Sequence, residues 1–168
     1  TFFNKIHLTQ YNLLFMFIVF LMIIFGSVIP TAIEVYLSMQ QDLKADIDAF
    51  RWLKNNSPQG AVVLAPVEQG HALAYFSGRK NMMDSNFLLI ENVDDHMGSL
   101  VEIYSTGFKS NAIRNLNQYD VSYIALTNKA REIFNIQELK YVDDDCFSLV
   151  YEKKNVSIYK SLCRLEER

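Results

Sequence analysis

The chain has 168 residues, of which 50% are hydrophobic and 21% charged, and carries a formal net charge of −3. An acidic balance of this size offers no general basic surface, so it gives no electrostatic footing for nucleic acid or for an anionic membrane face. The first 35 or so residues differ sharply from the rest, which leaves about 130 residues, one ordinary domain's worth and enough for a real core.

No charged residue occurs between Leu8 and Ile33. The stretch NLLFMFIVFLMIIFGSVIPTAI is long enough to cross a hydrocarbon core of roughly 30 Å. Residues 11–33 are read as a transmembrane helix, so that 1–36 form the span with its flanks and 37–168 a globular domain. A cleaved signal peptide fits less well, because Pro30 occupies a position where a small residue is wanted. Thr1 rather than Met heads the chain, which is read as a piece of a longer protein. Lys5 and His7 precede the span, and Lys44 follows it among Glu34, Asp42, Asp46 and Asp48. Orientation follows Lys and Arg near the span ends, and one against one leaves the side open.

After the span, QQDLKADIDAFRWLKNNSPQG places Leu43, Ile47, Phe50 and Leu53 at intervals of four, three and three, which predicts an amphipathic helix stopped by Pro58 and Gly60. AVVLAP predicts a short buried strand, and NMMD at 81–84 a second. MGSLVEIY sets Met97, Leu100, Val101 and Tyr104 at helical spacing, with Asp94 and Asp95 suited to the helix N-terminus. SNAIRNLNQYD continues helical, with Ser110 as a cap and Ala112, Ile113 and Leu116 inward. VSYIALT predicts another buried strand, and KAREIFN a short helix. Alternation of helix and strand predicts an α/β domain with a mostly parallel sheet flanked by helices in two or three layers. Val62, Leu64, Ile124 and Leu126 are expected in its core.

The tail CFSLVYEKKNVSIYKSLC predicts a β-hairpin with Lys154 and Asn155 as a two-residue turn. In that register Tyr151 faces Ile158, Phe147 faces Leu162, Ser148 faces Ser161 and Glu152 faces Ser157, so apolar pairs with apolar. Cys146 then lies opposite Cys163. A disulfide is possible there in an oxidising compartment, and two free thiols are the expectation adopted.

Chemistry-bearing residues concentrate in APVEQGHALAYFSGRKNMMDSN, residues 65–86. Strands of an α/β sheet deliver ligand contacts at their carboxyl ends, where Glu68 to His71 follow AVVLA. Glu68 is suited to accept from a hydroxyl or amide, Gly70 to allow close backbone approach, and His71 to add a second polar contact. Taken alone, these residues favour the plainer reading of a solvated Glu68 and a packed helix-start His71. Asp143 to Asp145 read as a solvated turn, and Asp94, Asp95 and His96 lack a metal-ligand spacing. No nucleophile-base pair, phosphate loop or zinc pattern occurs.

Taken with its neighbours, the run is familiar. A membrane helix, an amphipathic helix with Trp52, the NNSPQGAVVLAPVEQGHALAYFSGRKNMMDSN block, two helices, VSYIAL and a closing hairpin resemble the membrane-proximal end of the catalytic subunit of oligosaccharyltransferase and related C-type membrane glycosyltransferases. The resemblance covers most of residues 10–160. Pro66, Val67, Glu68, Gln69 and Gly70 fall on that family's Trp-Trp-Asp-Tyr-Gly motif, Arg79 on the turn after it, and Asp84, Ser85 and Asn86 on a following Val-Asp-Asn-Asn-like segment. Neither tryptophan of the motif is present.

The resemblance implies transfer of sugar from a polyprenyl-phosphate-linked donor to a peptide or glycan acceptor at the outer face of a lipid bilayer, with the globular domain outside the cytoplasm. It implies acceptor-binding roles for Glu68, Gln69, Gly70 and His71, with Glu68 standing where the family's carboxylate holds the Ser or Thr hydroxyl of the acceptor sequon. Arg79 and Asp84 would support the loop, as an ion pair. A divalent metal, Mg or Mn, is implied for the full-length enzyme on carboxylates of earlier loops, with no metal, cofactor or catalytic residue in this part. A mannosyltransferase-like relative with a non-sequon acceptor is an alternative. So is a single-pass anchored binding or sensor domain without enzymatic activity.

Overall fold

The structure, a computed structural model of the chain, describes residues 14–86 and 91–164, with 37–41 as backbone alone. Lys5, His7 and residues 11–13 of the expected span lie outside the described residues. The chain divides into two compact units, Thr1–Gln41 and Asp42–Arg168.

In the first unit, Leu14–Tyr36 is helical, with a mean hydropathy of 2.5, long and apolar enough to cross a membrane. Its Ile24–Val28 stretch is π-helical. Pro30 supplies the reason, since proline has no N–H for the carbonyl four residues back and its ring collides with that carbonyl. The widened turn, closed by Ile29 N–H on the Ile24 carbonyl, relieves the collision, and the Thr31 hydroxyl donates to the Ser27 carbonyl at 2.8 Å.

Helix α1 is Ile29–Asn56, and its part from Asp42 belongs to the second unit. There follow β1 (Val62–Leu64), a 3-10 turn (Val67–Gln69), α2 (Gly70–Ser77), β2 (Lys80–Asn81), α3 (Val93–Ser105) and α4 (Lys109–Gln118). The remaining elements are β3 (Val121–Leu126), α5 (Asn128–Phe134), β4 (Phe147–Lys153) and β5 (Val156–Ser161). The strands form one sheet in the order β2-β1-β3-β5-β4. It is parallel across β2, β1 and β3 and antiparallel from β3 through β5 to β4. The expected α/β domain is therefore present, with a mixed sheet whose antiparallel part is the hairpin.

Alternation along the strands makes the unit three layers, because successive side chains point to opposite faces. Leu64, Ile124 and Leu126 pack with Leu100, Ile103, Tyr104, Ile113 and Leu116 of α3 and α4. Val63, Ala65, Tyr123 and Ala125 pack on the other face with Ala45, Ala49, Phe50 and Leu53 of α1 and Leu73 of α2. An irregularity between Val62 and Val63, where β3 contributes the extra Ser122, lets Val121 share a face with Ile124. Tyr104, fully buried, stacks on Phe134 with ring centroids 4.4 Å apart and donates its hydroxyl to the Ala125 carbonyl at 2.9 Å.

Four expectations need correction. Leu43, Met97 and Val101 face solvent, because the inward stripes run through Ala45, Ala49 and Phe50 on α1 and through Leu100, Ile103 and Tyr104 on α3. Ser110 lies inside α4, whose N-cap is Phe108 with no side-chain cap, and Thr106 instead accepts from the Phe108 amide at 3.0 Å.

The hairpin turns at Lys154 and Asn155, both with positive φ, as a primed two-residue turn requires. Tyr151 faces Ile158 and Glu152 faces Ser157 as expected, but a bulge between Leu149 and Tyr151 then shifts the register by one, so Phe147 faces Ser161 and Ser148 faces Lys160. The last correction concerns the cysteines. Cys146 and Cys163 are joined in a disulfide with their Cα atoms 4.9 Å apart, not free thiols, because the bulged ladder still brings the two strand ends within bonding reach.

Candidate functional site

The connections around β1 leave the sheet in opposite directions. From β1 the chain crosses through α2, which packs on the α1 face, to reach β2 on one side. From β2 it crosses through α3 and α4 on the opposite face to reach β3 on the other side. The carboxyl ends of β1 and β3 therefore flank the point where strand order reverses, the place in an open α/β sheet where a crevice forms and ligands bind. Residues 65–71 leave β1 there, and Thr127 leaves β3 there.

The loop is tightly held from within. Gln69 N–H closes the 3-10 turn on the Pro66 carbonyl at 2.9 Å, and Val67 packs against the α3/α4 core. Asn81 extends the β1–β2 pairing with its side chain, accepting from Ala65 N at 3.0 Å through Oδ1 and donating through Nδ2 to the Met83 carbonyl. Gly70 has an ordinary helical φ, so its need for glycine is one of space. A Cβ there would lie 2.5 Å from Asp84 Cβ and 2.9 Å from its Cα. The close approach that Gly70 permits is thus to the Asp84 segment of the same domain. We expect Gly70→Ala to push these two backbones apart at a cost of about 1–3 kcal/mol, read as a lowered denaturation midpoint with unchanged m value.

The remaining singled-out residues divide between support and surface. Gln69 turns inward, Nε2 donating to Asp46 Oδ2 at 2.6 Å and Oε1 accepting from the Thr127 hydroxyl at 2.7 Å. Arg79 is buried and does not pair with Asp84. Its guanidinium donates to the Lys54 and Ser57 carbonyls at 2.8 and 2.7 Å and to the Ser57 hydroxyl at 2.8 Å. It thereby caps the carboxyl end of α1, where unpaired carbonyls and the helix dipole favour a cation. Asp84 instead accepts from the Asn86 amide at 2.9 Å. His71 is exposed rather than packed, its Nε2 2.6 Å from the Ser85 hydroxyl. Glu68 is exposed and has no hydrogen bond or ion pair among the described residues. Elsewhere, Asp143 of the acidic turn pairs with Lys109.

Asp46 is the residue that the sequence reading missed. It is 4% exposed and stands below Gln69, and burial is the main reason that its carboxyl is raised from 3.8 to about 6. The Gln69 hydrogen bond and the Asn128 backbone N–H lower it in part, and the nearby Asp42 raises it further. The signal was available. Asp46 precedes Phe50 by four residues and Leu53 by seven, which puts it on the same apolar face.

Comparison with known proteins found no matching family model and no match among curated sequences. Among solved structures, the C-terminal globular domain of oligosaccharyltransferase from Archaeoglobus fulgidus is similar at a TM-score of 0.49 and 14% identity, over 68% of this chain and 95% of that one.

Proposed function

We propose that this chain is the acceptor-side part of a membrane glycosyltransferase that moves sugar from a polyprenyl-phosphate-linked donor, with Glu68 receiving an acceptor hydroxyl and His71 beside it. The observation that carries this reading is an exposed carboxylate with no partner of its own among the described residues, on a loop braced by Gln69, Gly70 and Asn81 at the strand-order reversal of the sheet. The substrate class comes from the resemblance of residues 66–86 to the oligosaccharyltransferase motif. Placement of the domain outside the cytoplasm is supported by the Cys146–Cys163 disulfide, since such bonds persist in oxidising compartments, and attachment to the bilayer by Leu14–Tyr36.

Among the described residues, no three His, Cys, Asp or Glu side chains converge to hold a metal ion. The divalent metal that the resemblance implies for the full-length enzyme would rest on carboxylates of earlier loops, and these residues do not supply a site for it. What these residues supply is binding and orientation. Pro66 is buried and Val67 half-buried, so the loop offers no aromatic wall where the family has its tryptophans. This favours an acceptor other than a sequon peptide, as in the mannosyltransferase-like reading.

The test is Glu68→Gln in the full-length membrane protein, assayed with a polyprenyl-linked donor against an Asn-X-Thr peptide and a Thr-bearing peptide without Asn. A hydrogen bond to a charged group is worth roughly 1.5–3 kcal/mol, so acceptor KM should rise about 10- to 150-fold with the melting temperature unmoved. An unchanged KM with both peptides would return Glu68 to an ordinary solvated side chain.

A further inference from the structure

Gln69 is locked at both ends of its amide. The Thr127 hydroxyl accepts from the Ala130 backbone N–H at 3.0 Å and donates to Gln69 Oε1, which leaves Gln69 Nε2 to donate to Asp46 Oδ2. Every bond in this series has a fixed direction, so the amide has one usable orientation. The series ties α1, the turn after β1 and the cap of α5 together across the carboxyl ends of β1 and β3.

We propose that Asp46 is a positioning residue for the Val67–His71 loop, acting through Gln69 to fix the direction in which Glu68 and His71 face. The proposal rests on the reading of this loop as an acceptor contact and adds to it a residue that never meets the acceptor. Glu68 has two anchors, Val67 in the core before it and Gln69 after it. Cutting the Asp46–Gln69–Thr127 series releases the second.

The energetics of Asp46 favour this role over a stabilising one. Oδ1 is buried with no hydrogen-bond partner among the described residues, although the nearby Asn128 backbone N–H lowers the carboxyl's pKa in part. None of the ion pairs among the described residues involves Asp46. With the folded carboxyl raised to about 6, its contribution to stability is complete below the unfolded value near 3.8 and is lost as pH rises through about 6. At neutral pH the group therefore costs stability.

The test uses Asp46→Asn, Thr127→Val and Thr127→Ser in the full-length membrane protein in detergent, read by amide hydrogen exchange, thermal melting and acceptor kinetics with the two peptides above. An amide at position 46 turns its NH2 toward either Gln69 Nε2 or the Asn128 N–H, and Val at 127 lacks the donor. Both variants should speed exchange at Val67–His71 about three- to tenfold, whereas Thr127→Ser, which keeps the hydroxyl, should stay within about twofold. Acceptor KM should rise by a similar factor with kcat nearly constant, while Asp46→Asn melts no lower than the parent at pH 8 and any advantage shrinks as pH falls below about 6, vanishing only near the unfolded value of 3.8. Unchanged exchange at Val67–His71 in both Asp46→Asn and Thr127→Val would overturn the proposal. So would a fall in melting temperature at pH 8 that accounts for the change in KM, the mark of a purely structural contact. Failure of Glu68→Gln to move KM overturns the acceptor reading alone, because the exchange measurement reads the loop without any acceptor.

Discussion

Ile124→Asp is expected to leave the Asp42–Arg168 unit unfolded at 25 °C. Ile124 is fully buried at the centre of β3, packed in the cluster that joins β1 and β3 to α3 and α4. Losing its apolar burial costs about 1.5–3 kcal/mol, and an unpaired carboxyl in the same space adds several more even after it takes up a proton. The sum rivals the 5–15 kcal/mol or so by which a domain is usually stable. Loss of the cooperative thermal transition measures this outcome. Val101→Asp is the control, on the solvent side of α3, and should move the midpoint by no more than about 0.5 kcal/mol. Equal tolerance of both substitutions would refute the packing described for β3.

Arg79→Met has the second-largest expected effect. Arg79 is nine-tenths buried and its guanidinium donates to four backbone carbonyls besides the Ser57 hydroxyl, among them those of Lys54 and Ser57 at the end of α1. Methionine fills much of the volume and leaves the carbonyls buried without donors, at a cost of about 3 kcal/mol. For a unit of this size that is a fall of roughly 10 °C in melting temperature. Arg79→Lys should recover only part of it, since one ammonium cannot reproduce the planar fork. Acceptor kinetics above the transition are meaningless for this variant. Below it, KM should stay near the parent value, because Arg79 touches the end of α1 and the residues beside it, not the Glu68 turn.

Much of the fold was legible because its signals are local. AVVLA and VSYIAL are short β-branched runs between breakers, and they pair as neighbours in the parallel part of the sheet. The turn at Lys154 and Asn155 followed from requiring apolar residues to face each other on both strands. The bulge at Val150 did not follow, because skipping one residue depends on how Val150 and Tyr151 pack beneath the sheet beside Trp52 of α1, a contact far away in sequence. The closeness of the two cysteines followed from the hairpin, but the expectation of free thiols did not hold. Register brings two sulfurs near each other, but their bonding depends on the redox compartment, which the residues themselves do not spell out.

At the candidate site, the position of Glu68 at a strand end was readable and the partners of its neighbours were not. Arg79 was expected to meet the nearest carboxylate in sequence, Asp84. It met carbonyls at the end of a helix more than twenty residues earlier, because four unpaired carbonyls at a helix terminus are a stronger demand for a buried cation than one carboxylate at the surface. The side-chain amide of Gln69 is taken up by Asp46 and Thr127. Asp46 looked like one more surface charge on an amphipathic helix, and only the partners brought by Gln69 and Thr127 make its burial tolerable.

The placement of β5 between β3 and β4 bears on how this chain leaves the ribosome. By the time Leu126 emerges, β1, β2 and β3 can already pair, but β3 has one side of hydrogen-bonding groups bare until Val156–Ser161 arrive. At roughly 5–20 residues per second the wait lasts seconds, long compared with the microseconds in which a hairpin closes. During that interval the nascent protein carries an open, apolar edge of the kind that other extended chains add to. Translation pauses that leave β3 outside the ribosome with Val156–Ser161 still inside it should therefore lower the yield of native protein, whereas pauses after β5 has emerged should not.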